Sequence, residues 1–199
     1  MSLKFIIMSK RNKTKIVIFR HGESFGNAQK IIQGINTDLE LTDTGYGQAL
    51  ELRNTLEKQN INPEFYLAPQ TQRHLETTNI LSYQGSNTVD IMEELAECSF
   101  GILDGHPVLE YLEKYTDVRQ AWSNPSHPNF WDVKIEGGES RRDLQIRAKN
   151  VIRQIKSIKK YHKLIGLCSS EMFMQSLALE LTGGYYAGFK PCEYFVVDI

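Results

Sequence analysis

Apolar and polar positions along the chain fall into two alternating kinds of segment. Short apolar, β-branched runs predict strands at residues 15–19, 64–68, 89–92, 164–168 and 193–199. The first is almost continuously apolar, which suits a strand buried on both faces of a parallel sheet. Between the strands, apolar positions recur at steps of three and four. Ala49, Leu52 and Leu56 follow Thr42, a suitable N-cap, and residues 71–81 read as a second helix. Leu144, Ala148, Val151, Ile155 and Ile158 line one face of a long helix after Gly137-Gly138. Its other face carries Arg141, Arg142, Lys149, Arg153, Lys156, Lys159 and Lys160 and reads as solvated. Residues 171–181 form a further helix, ended by Gly183-Gly184. Residues 98–136 are irregular around one helix predicted over 109–122. Strands alternating with helices predict an α/β fold, a three-layer sandwich with a mostly parallel central sheet flanked by helices. Residues 1–14 read as an N-terminal extension and 15–199 as a single domain.

Composition narrows the class. Hydrophobic residues make up 41% of the 199, enough for a packed core and too many for a disordered chain. The 23 Lys and Arg against 24 Asp and Glu leave a formal net charge of −1, without the positive excess of a nucleic-acid surface. No apolar run approaches the roughly 18 residues of a membrane span, and the cluster near Phe5 is short even for a signal-peptide core. A soluble, cytoplasmic protein is expected. Cys98, Cys168 and Cys192 lack ligand-like spacing, so neither a disulfide framework nor a zinc site is expected.

The first strand ends at Arg20-His21-Gly22, followed by Glu23, Ser24 and Asn27. Open α/β sheets bind ligands at the carboxyl ends of their strands. A cation beside the imidazole lowers its pKa and keeps one ring nitrogen unprotonated at neutral pH. Gly22 lets the backbone turn close to a ligand. Taken alone, these letters fit a surface His-Arg pair equally well.

More of the chain carries the pattern. Gln33-Gly34, Asp38, Leu41-Thr42, Gly45 and Gln48-Ala49 follow, then Ala68-Pro69 with Arg73 and Thr77. Next come Leu95-Ala96-Glu97, Phe100-Gly101 and Asp104-Gly105, and Gly137-Gly138-Glu139-Ser140 with Arg147. In this order and spacing the chain resembles the histidine phosphatase superfamily, in its phosphoglycerate-mutase-like branch, from about residue 15 to the C-terminus. The resemblance implies that His21 attacks phosphorus and carries the phosphoryl group as phosphohistidine. Arg20 and Arg73 would clamp the phosphoryl oxygens, and Asn27 would add a neutral donor. Glu97 would protonate the leaving alkoxide and then deprotonate water, a role that wants a raised pKa. Glu23 reads as structural, and Glu93 and Glu94 as plain surface carboxylates. Neither a metal nor an organic cofactor is implied.

The resemblance fails at one point. The family carries a second catalytic histidine directly after its late strand, and here that place falls on Ser170; no histidine occurs after His162. His162 lies at the wrong end of a strand about 16 Å long. His74 is adjacent to Arg73 on a helix, where side chains diverge by about 100°, so it is not expected to share a phosphate with it. His106 and His127 would have to swing in from the irregular segment. Ser170 keeps one hydroxyl donor for the substrate. Losing a preorganised donor typically costs about 10²–10³ in rate, and restoring a histidine at Ser170 is expected to raise turnover at least tenfold.

The expected function is therefore a phosphomonoester phosphatase, weakened at Ser170 and acting on a small-molecule phosphate ester, with no nucleic-acid or membrane partner. The alternatives are a catalytically inactive phospho-ligand binding or scaffolding protein, whether natural or through an engineered Ser170, and a phosphoglycerate mutase. Mutases of the family carry longer segments beside the site than residues 98–136. A different α/β hydrolase would want a Gly-x-Ser-x-Gly elbow, which the chain lacks. Residues 98–136 would cap the pocket with more acids than bases, against a polyphosphorylated substrate. Tyr111, Tyr115, Trp122 and Trp131 could stack on a ring but read rather as core. The last strand, with Phe195 to Val197, is either a sheet edge or a dimer seam.

Overall fold

The computed structural model describes residues 14–83 and 87–199. Five strands, β1 (Lys15–Arg20), β2 (Phe65–Ala68), β3 (Thr88–Ile91), β4 (Leu164–Ser169) and β5 (Tyr194–Asp198), form one sheet in the order β3-β2-β4-β1-β5. The first four are mutually parallel, and β5 runs antiparallel along β1 as an edge strand. Seven helices accompany them among the described residues: α1 (Phe25–Ala28), α2 (Asp43–Lys58), α3 (Gln72–Leu81), α4 (Val108–Lys114), α5 (Thr116–Ser123), α6 (Arg141–Ile158) and α7 (Glu171–Thr182). None is long and apolar enough to cross a membrane.

Strand alternation sorts β1 onto two faces. Ile16 and Ile18 pack with Leu144, Val151 and Ile155 of α6 and with Phe173 and Leu177 of α7. Val17 and Phe19 pack on the opposite side with Ala49, Leu52 and Leu56 of α2 and Leu81 of α3. Both sets are buried, which is why β1 reads as an unbroken apolar run. The expected three layers are α6 and α7, the sheet, and α2 with α3. Residues 1–13 of the expected extension lie outside the described residues. Thr14 is buried and donates to Lys159 O (2.8 Å) or His162 O (2.9 Å), so it belongs with the domain.

Two expectations need correcting. The helix predicted over 109–122 is broken at Tyr115, whose φ of −118° and ψ of 44° leave the helical region. The break lets Tyr111 and Trp122 meet, with ring centroids 6.2 Å apart. Along a straight helix residues eleven apart would be separated by about 16 Å. Both rings join a third cluster around Ile32, Leu103 and Ile135, and Trp131 packs edge-on against Phe130; the aromatics serve as core. Arg141 is the other correction. It lies buried, donating to Gln175 Oε1 and Trp122 O (both 3.0 Å) over the rings of Phe130 and Tyr185. As the first residue of α6 it is covered by the 98–136 segment, which sequence periodicity does not register.

Candidate active site

The parallel register sets Arg20 opposite Ser169, so the next residues, His21 and Ser170, leave the sheet side by side. His21 N–H donates to Ser169 O (3.1 Å). The His21 ring is buried, and its Nδ1 lies 2.7 Å from Gly22 O. A carbonyl oxygen can only accept, so Nδ1 carries the proton and Nε2 the lone pair. Burial, then the charges of Arg73 and Arg20, hold this imidazole well below the ordinary histidine range, against the opposing pull of the Gly22 carbonyl. The expected cause, Arg20 alone, is thus the third in size.

Gly22 also packs inside the fold. Its N–H donates to Thr77 Oγ1 (3.0 Å), and a Cβ built on it would come 2.6 Å from Gly45 O. A Cβ on Gly45 would come 2.0 Å from Glu23 O. The two glycines let the loop after β1 lie directly on the start of α2 rather than against a ligand. Glu23 Oε1 accepts from the Thr42 hydroxyl (2.8 Å), a purely internal contact.

The remaining expected residues converge on the same end of the sheet. Arg73, fully buried on the first turn of α3, donates to Thr37 O (2.8 Å) and Gly34 O (3.1 Å). Arg20 donates to Glu171 Oε2 (2.8 Å) and Phe189 O (2.5 Å). The Nε atoms of both arginines are buried without a protein acceptor among the described residues. Asn27 Oδ1 accepts from Ser24 N (3.1 Å) and Ser24 Oγ (3.0 Å), which leaves Nδ2 to donate elsewhere. Glu97 is buried at the start of α7, and its Oε1 accepts from Cys98 N (2.9 Å), Met172 N (3.2 Å) and Phe173 N (3.3 Å). Burial raises its pKa, and the backbone donors and Arg20 only partly offset that.

His74 lies against His21. It is fully buried, and its ring lies edge-on to His21 with centroids 4.9 Å apart. Its Nε2 is 2.8 Å from Ser170 Oγ and its Nδ1 2.5 Å from Thr71 Oγ1. Arg73 and His74 diverge as expected, Arg73 towards residues 34–37 and His74 towards Ser170. His106 instead pairs with Glu110 on the surface (2.8 Å). His127 accepts from Asn129 N (3.1 Å), and His162 stacks on Phe65 with centroids 4.2 Å apart.

Sequence reasoning also missed Glu171 and the role of Arg147. Glu171 follows Ser170 by one residue and so stands two steps past Arg20 in the register, a signal that was available. Arg147 grips the acid segment, donating to Glu94 O and Ala96 O (both 2.8 Å) and to Glu97 O (3.1 Å), while forming two bonds with the Glu139 carboxylate (2.8 and 3.0 Å). Asp104 fastens the 98–136 segment to the other wall, accepting from Gly34 N (2.8 Å), Asn36 N (2.9 Å) and Thr37 Oγ1 (2.6 Å).

A family model described as histidine phosphatase superfamily (branch 1) matches residues 16–195. The fructose-2,6-bisphosphatase of Saccharomyces cerevisiae is 29% identical over 154 residues, 76% of this chain and 31% of that protein. The phosphoglycerate mutase-like protein 4 of Arabidopsis thaliana is 32% identical over 143 residues, 71% of this chain and 60% of that protein. The chain thus spans from about a third to less than two thirds of these relatives' lengths. Among solved structures, a mycobacterial glucosyl-3-phosphoglycerate phosphatase in complex with VO3 has a TM-score of 0.77 at 20% identity, covering 92% of each chain. A phosphoglycerate mutase from Bacillus anthracis has a TM-score of 0.78 at 19% identity, covering 94% of this chain and 88% of that one. These two likenesses establish the fold.

Proposed function

Because the chain belongs to the histidine phosphatase superfamily, we propose that it is a phosphomonoester phosphatase working through a phosphohistidine on His21. One observation carries the reading: a buried imidazole with its lone pair fixed on Nε2 feels the charges of Arg73 and Arg20, which also act on a buried carboxyl with a raised pKa, Glu97. His21 Nε2 attacks phosphorus, the ester P–O bond breaks, and the alkoxide takes the Glu97 proton. The Glu97 carboxylate then takes a proton from water as its oxygen attacks phosphorus. The P–N bond breaks, inorganic phosphate leaves, and His21 is again neutral. Arg20, Arg73 and the Asn27 amide bind the phosphoryl oxygens, and the orphaned Nε–H groups of the arginines are donors that such an anion would satisfy. Ser170 stands where a second histidine would be the stronger donor, so turnover is slow. The substrate is a small phosphate ester, and the protein acts in the cytoplasm.

One contact favours a second reading, binding without turnover: the Glu171 carboxylate holds Arg20 at 2.8 Å and competes with phosphate for it. Phosphate release from an aryl phosphate between about pH 5 and 8, with His21→Ala as control, decides between them. The proposal expects release that His21→Ala abolishes. Release unchanged in that variant would refute the nucleophile, and phosphate binding without any release would favour the binder.

A further inference from the structure

Every helix leaves its first N–H groups unpaired, and a serine before the first turn ordinarily accepts from one of them. Ser170 does not. The Glu97 carboxylate already accepts from Met172 N and Phe173 N, so α7 is capped from outside and the Ser170 hydroxyl makes no cap bond. It turns instead to His74 Nε2 at 2.8 Å. The side chain of Thr71 makes no cap bond for α3 either, and its hydroxyl meets His74 Nδ1. Two helix-start hydroxyls therefore hold one buried imidazole, whose other neighbour is the His21 ring, 4.9 Å away.

A neutral imidazole donates through one nitrogen and accepts through the other. When Thr71 O–H donates to Nδ1, Nε2–H donates to Ser170 Oγ. The serine proton is then free to point elsewhere, and the strand register sets it beside His21. We propose that His74 and Ser170 form a single donor unit, in which the His74 imidazole orients and polarises the Ser170 hydroxyl so that it hydrogen-bonds the phosphoryl group on His21. An imidazole is thus present at this wall of the site, delivered from α3 instead of from the end of β4. Ser170 is the group that touches the phosphoryl oxygen, and His74 is a positioning residue. The inference rests on the phosphatase reading of His21 above.

It also reverses an expectation. A histidine placed at Ser170 would run into the ring already lying 2.8 Å from the serine oxygen, so restoring it alone gives no gain.

The test measures kcat and KM with an aryl phosphate, and the affinity for inorganic phosphate, in the full chain. Ser170→Ala and His74→Ala are each expected to lower kcat about 10- to 100-fold, below or at the low end of the loss of a preorganised donor, with KM moving far less. The double variant is expected to be no worse than the poorer single, because the two side chains act as one. His74→Gln, whose Nε2–H can still reach Ser170, is expected to keep most of the activity, which also guards against failure of the alanine variant to fold. Ser170→His alone gives no gain, whereas Ser170→His with His74→Ala recovers the wild-type rate or better. Fully multiplicative single effects, unchanged kcat in Ser170→Ala, or a tenfold gain from Ser170→His alone would overturn the proposal. If no His21-dependent release occurs at all, the phosphatase reading itself falls. Binding of inorganic phosphate then decides: equal weakening by Ser170→Ala and His74→Ala keeps the unit, and unchanged affinity removes it.

Discussion

The helices that begin at a hydroxyl residue do so in two ways. At α1, α2 and α6, Ser24 accepts from Asn27 N (3.3 Å), Thr42 from Gly45 N (3.1 Å) and Ser140 from Asp143 N (3.1 Å), while the Asp143 carboxylate accepts in return from Ser140 N (2.9 Å). At α3 and α7, the Thr71 and Ser170 side chains make no cap bond to their own helices and turn to His74. A helix-start hydroxyl is worth about 0.5–2 kcal/mol to a fold. Three helices keep that contribution, and α3 and α7 give it over to orienting a side chain. Residue type at a helix start is therefore an ambiguous signal. What distinguishes the two uses is whether another group, Glu97 at α7 and Asp38 at α3, has already taken a free N–H donor.

The comparison breaks most visibly at Glu97, which serves both sides of it. Glu97→Gln is expected to cut turnover of an alkyl phosphate about 10²–10⁴-fold and that of an aryl phosphate, with its better leaving group, much less. The first chemical step needs Glu97 protonated, and burial raises its pKa. In the wild type, kcat/KM for the alkyl ester should therefore fall as pH rises through that value. The nucleophile does not impose the opposite limit until lower pH, since its pKa is held well below the ordinary range. Glu97→Gln should flatten the falling limb, and a limb that survives the substitution would assign it to another group.

A smaller effect sharpens the contrast. Ser140→Ala is expected to cost about 1 kcal/mol, a drop of about 2–4 °C in Tm, with kcat unchanged. Ser170→Ala should lower kcat, and it also strands a buried imidazole nitrogen, at about 1–3 kcal/mol. Thermal melts and steady-state rates on the same two proteins check both. Equal kinetic effects would mean that the two serines are not differently used.

The layer order, the long helices and their caps were legible because they rest on local periodicity. Thr42 and the stop at Gly183, a left-handed residue at φ 72°, follow from neighbouring residues alone. The broken helix at Tyr115 was not legible, since no periodicity encodes the turn that brings Tyr111 and Trp122 together. The divergence of Arg73 and His74 was legible, but only the fold puts Ser170 and His21 on the side to which His74 turns. Burial of Arg141 likewise depends on a segment that precedes it in the chain.

Arg147 has a consequence for how this site can vary. It binds the carbonyls of residues 94, 96 and 97 from α6, and the Glu97 carboxylate rests on Cys98 and the start of α7. The Glu97 carboxyl is thus held between α6, α7 and the Cys98 N–H. Changes confined to the later part of the following segment, from α4 onward, are therefore expected to leave that carboxyl in place.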